Sequence, residues 1–454
     1  METYNIRARE PTVLDGQSHW TLRPGDLMLS FKVDTAHMIP GQINIERFND
    51  ALERTMSIYP LHAGRMQRPR GKLDDWKICL TNDGVPVTII DSDAESEVPT
   101  TCVIQNPWVL TKSVQPVKYF DYDSDEPLLH VTIIRFTKIG STSIGLSCAH
   151  AIGDGYTILR FARLLSQNYQ GLPPLDDPPS YADIPSYPFN PDDYGKIPTP
   201  NFNLNYPARD VPPHQRPGHL KPLRIDLRFT AGQIAQIHKA VLAHAAEPII
   251  LSRQDVLSAL LVFCTSKVDS PIQYLSSICN CRGIKPIPAN STCNELIWAV
   301  TDPASDPEVE TVYSIASRIR KSLLRVRDPG YAAAYNAVHA VKFIEEANAE
   351  IAQDFSQLPG HMVINSTWRF DWTSAHFGYP GQTRFFHTCL DEPRYMKMFQ
   401  PNPTRLPDGT WETHLGDVEV TFYMHEKEKQ GFKDAFAQEL RNLGISSEVE
   451  FVGE

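Results

Sequence analysis

The sequence predicts an α/β (α+β) protein built as two similar halves, each a mixed sheet covered by helices. Two observations carry this. Segments that alternate with a period of two, the mark of strands, are interleaved with segments of helical period in both halves of the chain. Between the halves, fourteen of the 37 prolines fall between Pro173 and Pro222. Proline fixes φ and removes a backbone donor, so this stretch is read as a crossover linker along the surface. The expected division is 1–172, 173–222 and 223–454, and 454 residues suit two domains.

In the first half, Ile45 to Ser57 has helical period and leads into Tyr59-Pro60-Leu61-His62-Ala63-Gly64-Arg65-Met66. Leu128 to Thr137 is expected to form a hairpin with Ser143 to His150 across Lys138-Ile139-Gly140-Ser141. In its second strand Ile144, Leu146, Cys148 and His150 share one face, and Ser143, Gly145, Ser147 and Ala149 share the other. The strand ends in His150-Ala151-Ile152-Gly153-Asp154-Gly155, and Tyr156 to Leu165 then reads as a mostly buried helix. An imidazole is thus placed at a strand end, against two glycines that follow it, Gly153 and Gly155, that would let a ligand approach the backbone. Imidazole is the side chain best suited to take a proton near neutral pH.

In the second half, Leu223 to Phe229 alternates as a strand, and Thr230 is the expected N-cap of a helix from Ala231 to Ala245. Ser252 precedes a buried helix, Gln254 to Thr265. Ser277 to Gly283 reads as a strand and turn, Glu310 to Arg327 as an arginine-rich helix, Val418 to Tyr423 as a strand and Lys433 to Leu443 as the closing helix.

Composition excludes several classes. With 41% hydrophobic and 21% charged residues the chain is an ordinary globular protein, and its net charge of −11 argues against nucleic-acid binding. No apolar run approaches the roughly twenty residues of a membrane span, and the N-terminus has no signal-peptide pattern. The eight cysteines are dispersed, and Cys279-x-Cys281 has neither redox nor zinc spacing. They are read as reduced thiols of a cytoplasmic protein, and no metal site is expected.

The residues Tyr59-Pro60-Leu61-x-Ala63-Gly64-Arg65, His150-x-x-x-Asp154-Gly155, Cys281-Arg282-Gly283 with Pro286-x-Pro288 and Asn294, and Ser366-x-Trp368 leading to His376-Phe377-Gly378-Tyr379 occur in one order over nearly the whole chain. In this the chain resembles the BAHD acyltransferases, which move an acyl group from coenzyme A to an alcohol or amine. It is more similar to fungal secondary-metabolite members than to plant ones. It departs from the family at His376-Phe377-Gly378-Tyr379-Pro380, where the pattern is Asp-Phe-Gly-Trp-Gly.

The resemblance implies two similar domains with a central tunnel, the catalytic histidine at its middle, acyl-coenzyme A entering from one side and acceptor from the other. It implies a monomeric acyltransferase with acyl-coenzyme A as co-substrate, no tightly bound cofactor, and acetyl as the favoured donor group. His150 is the expected general base, passing the acceptor's proton to the leaving thiolate. Asp154 has two readings: orienting the His150 ring as in a triad, or pairing with a cation. The family points to the second, with Arg282 as partner, so Asp154, Arg282 and Gly155 are expected to shape the loop. An acyl-cysteine on Cys148 is the disfavoured alternative.

Tyr379, Thr367 and Ser366 are candidate oxyanion donors, beside backbone N–H groups. Ser252 and Arg253, at a helix start, are candidates for a coenzyme A phosphate. Arg318, Lys321 and Arg325, with Arg320 and Arg327 nearby, are read as a solvated helix face rather than a phosphate site. His376 and His387 are read as structural or surface residues. Two rival functions remain. One is a condensation-type domain using a carrier-protein thioester, against which Ala149 stands where those domains carry a second histidine. The other is a non-catalytic member that only binds a small molecule.

Overall fold

The computed structural model describes residues 1–10, 14, 17–27, 32–67, 76–94, 102–105, 110, 112–117, 125–181, 190, 192, 197, 206–207, 223–243, 249–268, 271–348, 351–352, 360–388 and 392–452. Two seven-stranded mixed sheets dominate it. The first runs, edge to edge, Glu2–Ile6, Val85–Ser92, Leu129–Phe136, Ser141–Ala149, Lys32–Ile39, Arg384–Thr388 and Ile104–Gln105. The expected hairpin is present: Leu129–Phe136 and Ser141–Ala149 pair antiparallel, with Leu129 opposite Cys148 and Ile133 opposite Ile144.

Every residue of Ser141–Ala149 is buried. The face of Ile144, Leu146 and Cys148 packs into one core with Phe161 and Leu165 of helix Gly155–Gln170 and with Phe48 and Leu52 of helix Ile45–Ile58. The face of small residues is covered as well. A Cβ on Gly145 would come within 2.1 Å of the Ser113 carbonyl oxygen, so only glycine fits there. Small residues on this strand therefore record close backbone approach, not exposure to solvent.

Strand Arg384–Thr388, from far beyond the prolines, joins the first sheet, with Phe385 opposite His37 on Lys32–Ile39. The 223–454 segment thus supplies part of the sheet that carries His150. Most of the stretch 173–222 lies outside the described residues.

The second sheet runs Leu296–Val300, Tyr274–Asn280, His361–Ser366, Tyr395–Phe399, Val418–Met424, Leu223–Phe229 and Glu450–Phe451. Its core joins Phe229 and Phe422 to Ile234 of helix Ala231–Leu242, Leu257 and Leu260 of helix Arg253–Ser266, and Phe432 and Phe436 of helix Glu426–Asn442. Thr230 caps its helix with a reciprocal Gln233 bond, and Ser252 does the same with Asp255. The closing helix starts at Glu426 rather than Lys433. Its first turn, Glu426-Lys427-Glu428-Lys429, shows little apolar period, yet the acidic residues suit the positive end of the helix dipole. Helix Pro329–Asn348 also carries little sequence signal; Ala332, Tyr335 and Val338 anchor it in the first core.

Candidate active site

The strand ends at Ala149, and His150 opens a single 3-10 turn, His150–Ile152, closed by a bond from the Gly153 N–H to the His150 carbonyl. Helix Gly155–Gln170 starts immediately afterwards, capped by the Asp154 carboxylate accepting from the Thr157 N–H. Of the two glycines, Gly153 is the one required by space, and the space is taken by the protein. A Cβ there would lie 2.5 Å from Thr157 Cγ2. At Gly155 a Cβ would meet the Trp372 indole at an ordinary 3.7 Å. The expectation that both admit a ligand is corrected accordingly: one is filled by Thr157, and the other faces an indole.

The segment Arg282–Glu295 clasps this turn. Arg282 holds Asp154 bidentately, Nη1 to Oδ2 at 2.8 Å and Nη2 to Oδ1 at 3.2 Å, with side chains 2% and 1% exposed. Its remaining donors reach the Ser291 and Cys293 carbonyls and Thr157 Oγ1, and its plane lies 5.0 Å from the Tyr156 ring centroid. The Glu295 N–H donates to Asp154 Oδ2. The carboxylate is therefore fully engaged by Arg282, Thr157 and Glu295 and does not orient the His150 ring. Burial pushes the Asp154 carboxyl up, but Arg282 and the donated bonds outweigh it and hold the group below its usual range.

Asn294 bears directly on the histidine. Its Nδ2 donates to the His150 carbonyl at 2.8 Å and to Asp26 Oδ1 at 3.3 Å, and its N–H donates to the same oxygen at 2.8 Å. The Asn294 side chain also favours the protonated form of the His150 imidazole. Asp26 is itself fully buried and shares Arg23 with Glu295. This relay from the N-terminal segment is missed by reading motifs one by one; Asn294 appeared only as part of a pattern.

Two further groups on other elements are coupled to His150 electrostatically. His387, on strand Arg384–Thr388, and Lys397, on strand Tyr395–Phe399 of the second sheet, both bear on its protonation or are borne on by it. Burial is the main reason the His150 imidazole is pushed below its ordinary value; Lys397 pushes the same way, while Asp154 and Asn294 oppose. Burial, Lys397 and His150 push His387 well down too. His387 is buried among Trp372, Phe385 and Phe399, so it is an interior residue beside the site. Cys148 is fully buried, and burial followed by Asp34 drives its thiol far up, which leaves no thiolate for an acyl-cysteine.

The candidate oxyanion donors separate. Tyr379 is at the wrong end of the sheet: its hydroxyl packs on Gly41, where a Cβ would come within 1.8 Å of it, and the Gly41 carbonyl accepts from Thr142 Oγ1. From Thr142 to His150 an extended strand spans about 26 Å at roughly 3.3 Å per residue. Tyr379 is thereby removed from the set, and so is any tryptophan-like N–H from that loop. Thr367 Oγ1 accepts from Trp372 Nε1 at 3.3 Å, and the Trp372 ring faces Gly155, just after the His150 turn. Ser366 ends strand His361–Ser366, where its Oγ accepts a long bond from the Trp368 N–H.

Ser252 spends its hydroxyl on capping helix Arg253–Ser266, and Asp255 of the same turn pairs with Arg320. Arg253 is exposed at that helix start. Arg318 is tied to Glu310 and the Asp302 carbonyl, and Arg325 to Asp302. These arginines are structural ties rather than a phosphate cluster. The seven described cysteines are free, and among the described residues no group of three His, Cys, Asp or Glu could hold a metal ion. No helix among them is long and apolar enough to cross a membrane.

Comparison with known proteins bears on the same residues. A family described as the Transferase family matches residues 29–380. A hydroxycinnamoyltransferase of Narcissus pseudonarcissus is 28% identical over 206 residues, 41% of this chain and 44% of that protein, so the match spans less than half of the relative's length. Among solved structures, TRI101 of F. sporotrichioides complexed with coenzyme A and T-2 superposes with TM-score 0.63 at 16% identity, over 90% of this chain and 96% of that one. Vinorine synthase superposes with TM-score 0.62 at 14% identity, over 95% of each chain. At such identities the likeness shows the shared two-sheet fold.

Proposed function

Because the chain belongs to this transferase family, the BAHD acyltransferases, we propose that it transfers an acyl group from coenzyme A to a hydroxyl or amine of a small molecule, with His150 as general base. The observation that carries this reading is the environment of His150. The imidazole sits at the end of the first sheet, depressed by burial and by Lys397, so it is neutral near pH 7 and its nitrogen lone pair is open to a proton. His150 Nδ1 is buried, which leaves Nε2 as the nitrogen for substrate.

In the reaction, Nε2 takes the acceptor's proton as its oxygen or nitrogen attacks the thioester carbonyl. The C–S bond then breaks, and the imidazolium returns the proton to the departing thiolate. Thr367 is the side-chain donor we assign to the developing oxyanion. Accepting from Trp372 leaves its own O–H to donate, and Trp372 ties it to the catalytic turn. Asp154 and Arg282 shape the turn. Ser252 and Arg253 remain the proposed contact for a coenzyme A phosphate. Acetyl is the first donor to try, and a hydroxycinnamoyl donor the second, given the name of the Narcissus relative. The Pro-rich stretch 173–222 is the proposed crossover between domains 1–172 and 223–454. A monomer in the cytoplasm is proposed, in keeping with the free thiols.

The test is release of free thiol from acyl-coenzyme A and mass-spectrometric detection of acylated acceptor across a set of metabolite alcohols and amines. His150→Ala should fold normally and lose roughly 10²–10⁴-fold in turnover. Retention of more than about half of the wild-type kcat would exclude His150 as base. Transfer only from a carrier-protein thioester would move the protein to the condensation class.

A further inference from the structure

One side chain, Asn294, separates the buried carboxylate of Asp26 from the His150 carbonyl. Asp26 ends the short 3-10 turn Pro24–Asp26, which packs against the His150–Ile152 turn and helix Pro329–Asn348. Its side chain is wholly buried. A carboxylate so placed needs donors and a counter-charge, and it has them at both ends. Oδ2 accepts from the Arg23 N–H and from Arg23 Nε, each at 3.1 Å. Oδ1 accepts from the Asn294 N–H at 2.8 Å and from Asn294 Nδ2 at 3.3 Å. Arg23 is held in turn by the Glu295 carboxylate and the Thr292 carbonyl.

The two ends of Asp26 do different things. Toward Arg23 the carboxylate fastens the N-terminal segment. Toward Asn294 it sets an orientation. Asn294 Nδ2 has two neighbours, Asp26 Oδ1 and the His150 carbonyl oxygen at 2.8 Å, and both are acceptors. The amide therefore cannot turn its own oxygen to that side. The same His150 carbonyl takes the Gly153 N–H at 3.2 Å, so both of its lone pairs are engaged. Next along the chain, the Glu295 N–H donates to Asp154 at 3.0 Å. Consecutive backbone donors at 294 and 295 are thus bound by two carboxylates, and Asp26 is the one that acts on the His150 peptide. A Cβ on Gly25 would lie 3.2 Å from the Asn294 carbonyl oxygen, which leaves the segment little room to drift.

We propose that Asp26 is a positioning residue for His150: it fixes Asn294, and Asn294 fixes the peptide from which the imidazole is aimed at substrate. This rests on the reading of His150 as general base. A misplacement of about 1 Å at a reacting group costs on the order of 10²-fold in rate.

The test is a cycle of Asp26→Asn, Asn294→Ala and the double variant, each in the full chain. An amide at position 26 keeps the shape but cannot accept at both ends, so it disturbs either Arg23 or Asn294. Each single variant should lose roughly 10–100-fold in kcat while KM for acyl-coenzyme A stays within about threefold. The Asn294 side chain favours the imidazolium, so the acid limb of kcat/KM should move to lower pH in both. The double variant should be within about twofold of the worse single variant, because Asp26 acts through Asn294. A purely structural tie predicts a lower Tm, wild-type kcat per folded molecule and an unmoved acid limb. That result, additive losses in the double variant, or a loss confined to KM would each overturn the assignment. Arg23→Lys keeps the charge and loses the fork, and carries the same comparison should Asp26→Asn not fold. The His150 ring is also read without substrate, by NMR of the protein labelled with carbon-13 histidine, its signal identified by its loss in His150→Ala. The pKa of that signal should fall in both single variants and no further in the double. An unchanged titration would sink the proposal whatever the turnover. A shifted titration in a protein that transfers no acyl group would leave the positioning standing and refute the reading of function.

Discussion

Arg282 and Asp154 meet in a bidentate pair, 2.8 Å and 3.2 Å, that solvent scarcely reaches from either side. The pair lies 128 residues apart in sequence and joins the His150 turn to the segment that carries Asn294. The turn's geometry, and with it the aim of His150, is thus set by a contact between remote parts of the chain.

Removing one partner leaves the other charge buried and alone, which costs roughly 3–5 kcal/mol. Asp154→Ala loses in addition the cap of helix Gly155–Gln170, worth about 1 kcal/mol. Asp154→Ala and Arg282→Ala should each lower stability in denaturant unfolding and lower turnover. The double variant should lose less than the sum, because the second removal relieves the charge the first exposed. Strict additivity would show that the two do not act as a pair. Near wild-type stability of Asp154→Asn with a roughly 10⁴-fold loss of kcat would restore the triad role.

Much of this was legible in the sequence where the signal is local. The hairpin of Leu129–Phe136 and Ser141–Ala149, the Thr230 and Ser252 caps and the placement of His150 all follow from short-range period and capping chemistry. The role of Asp154 was legible only through the resemblance, because spacing alone left the triad reading open. What escaped is what three segments assemble. Asn294, His387 and Lys397 lie on separate elements, and no period links them to His150. Tyr379 shows the reverse error: its motif gives sequence order but not which end of a 26 Å strand it reaches, about 3.3 Å per residue. Helix Pro329–Asn348 and strand Arg384–Thr388 are held by tertiary packing that local pattern does not record.

Glu419 offers a test of the junction between the sheets. From strand Val418–Met424 it accepts the Val103 N–H, beside first-sheet strand Ile104–Gln105, and pairs with Arg228. Burial raises its carboxyl to about 7, with Asp226 adding to the rise and Arg228 and the Val103 bond opposing it. A folded-state value above the unfolded one means that its contribution to stability is full below about pH 4.5 and is lost as pH rises through about 7. Glu419→Gln cannot titrate. The difference in unfolding free energy between wild type and variant should therefore move in the variant's favour between pH 4.5 and 7.5, by on the order of 3 kcal/mol at most. A difference independent of pH would mean that Glu419 keeps an ordinary carboxylate value in the folded protein.

Lys397 provides the sharpest test of the base. Burial does most to lower the His150 imidazole, and Lys397 adds to it from the second sheet. A general base works when neutral, so activity falls as pH drops through its pKa, and the acid limb of kcat/KM reports that value in the free enzyme. Lys397→Met removes a cation that disfavours the imidazolium, so the His150 pKa rises and the acid limb moves to higher pH. Near neutral pH this lowers kcat/KM, while the alkaline plateau changes little. Lys397→Arg keeps the charge and should keep the profile. A structural role for Lys397 predicts something else: a uniform loss at every pH, shared by both variants. An acid limb that stays in place in Lys397→Met, or moves to lower pH, would show that this lysine does not tune His150.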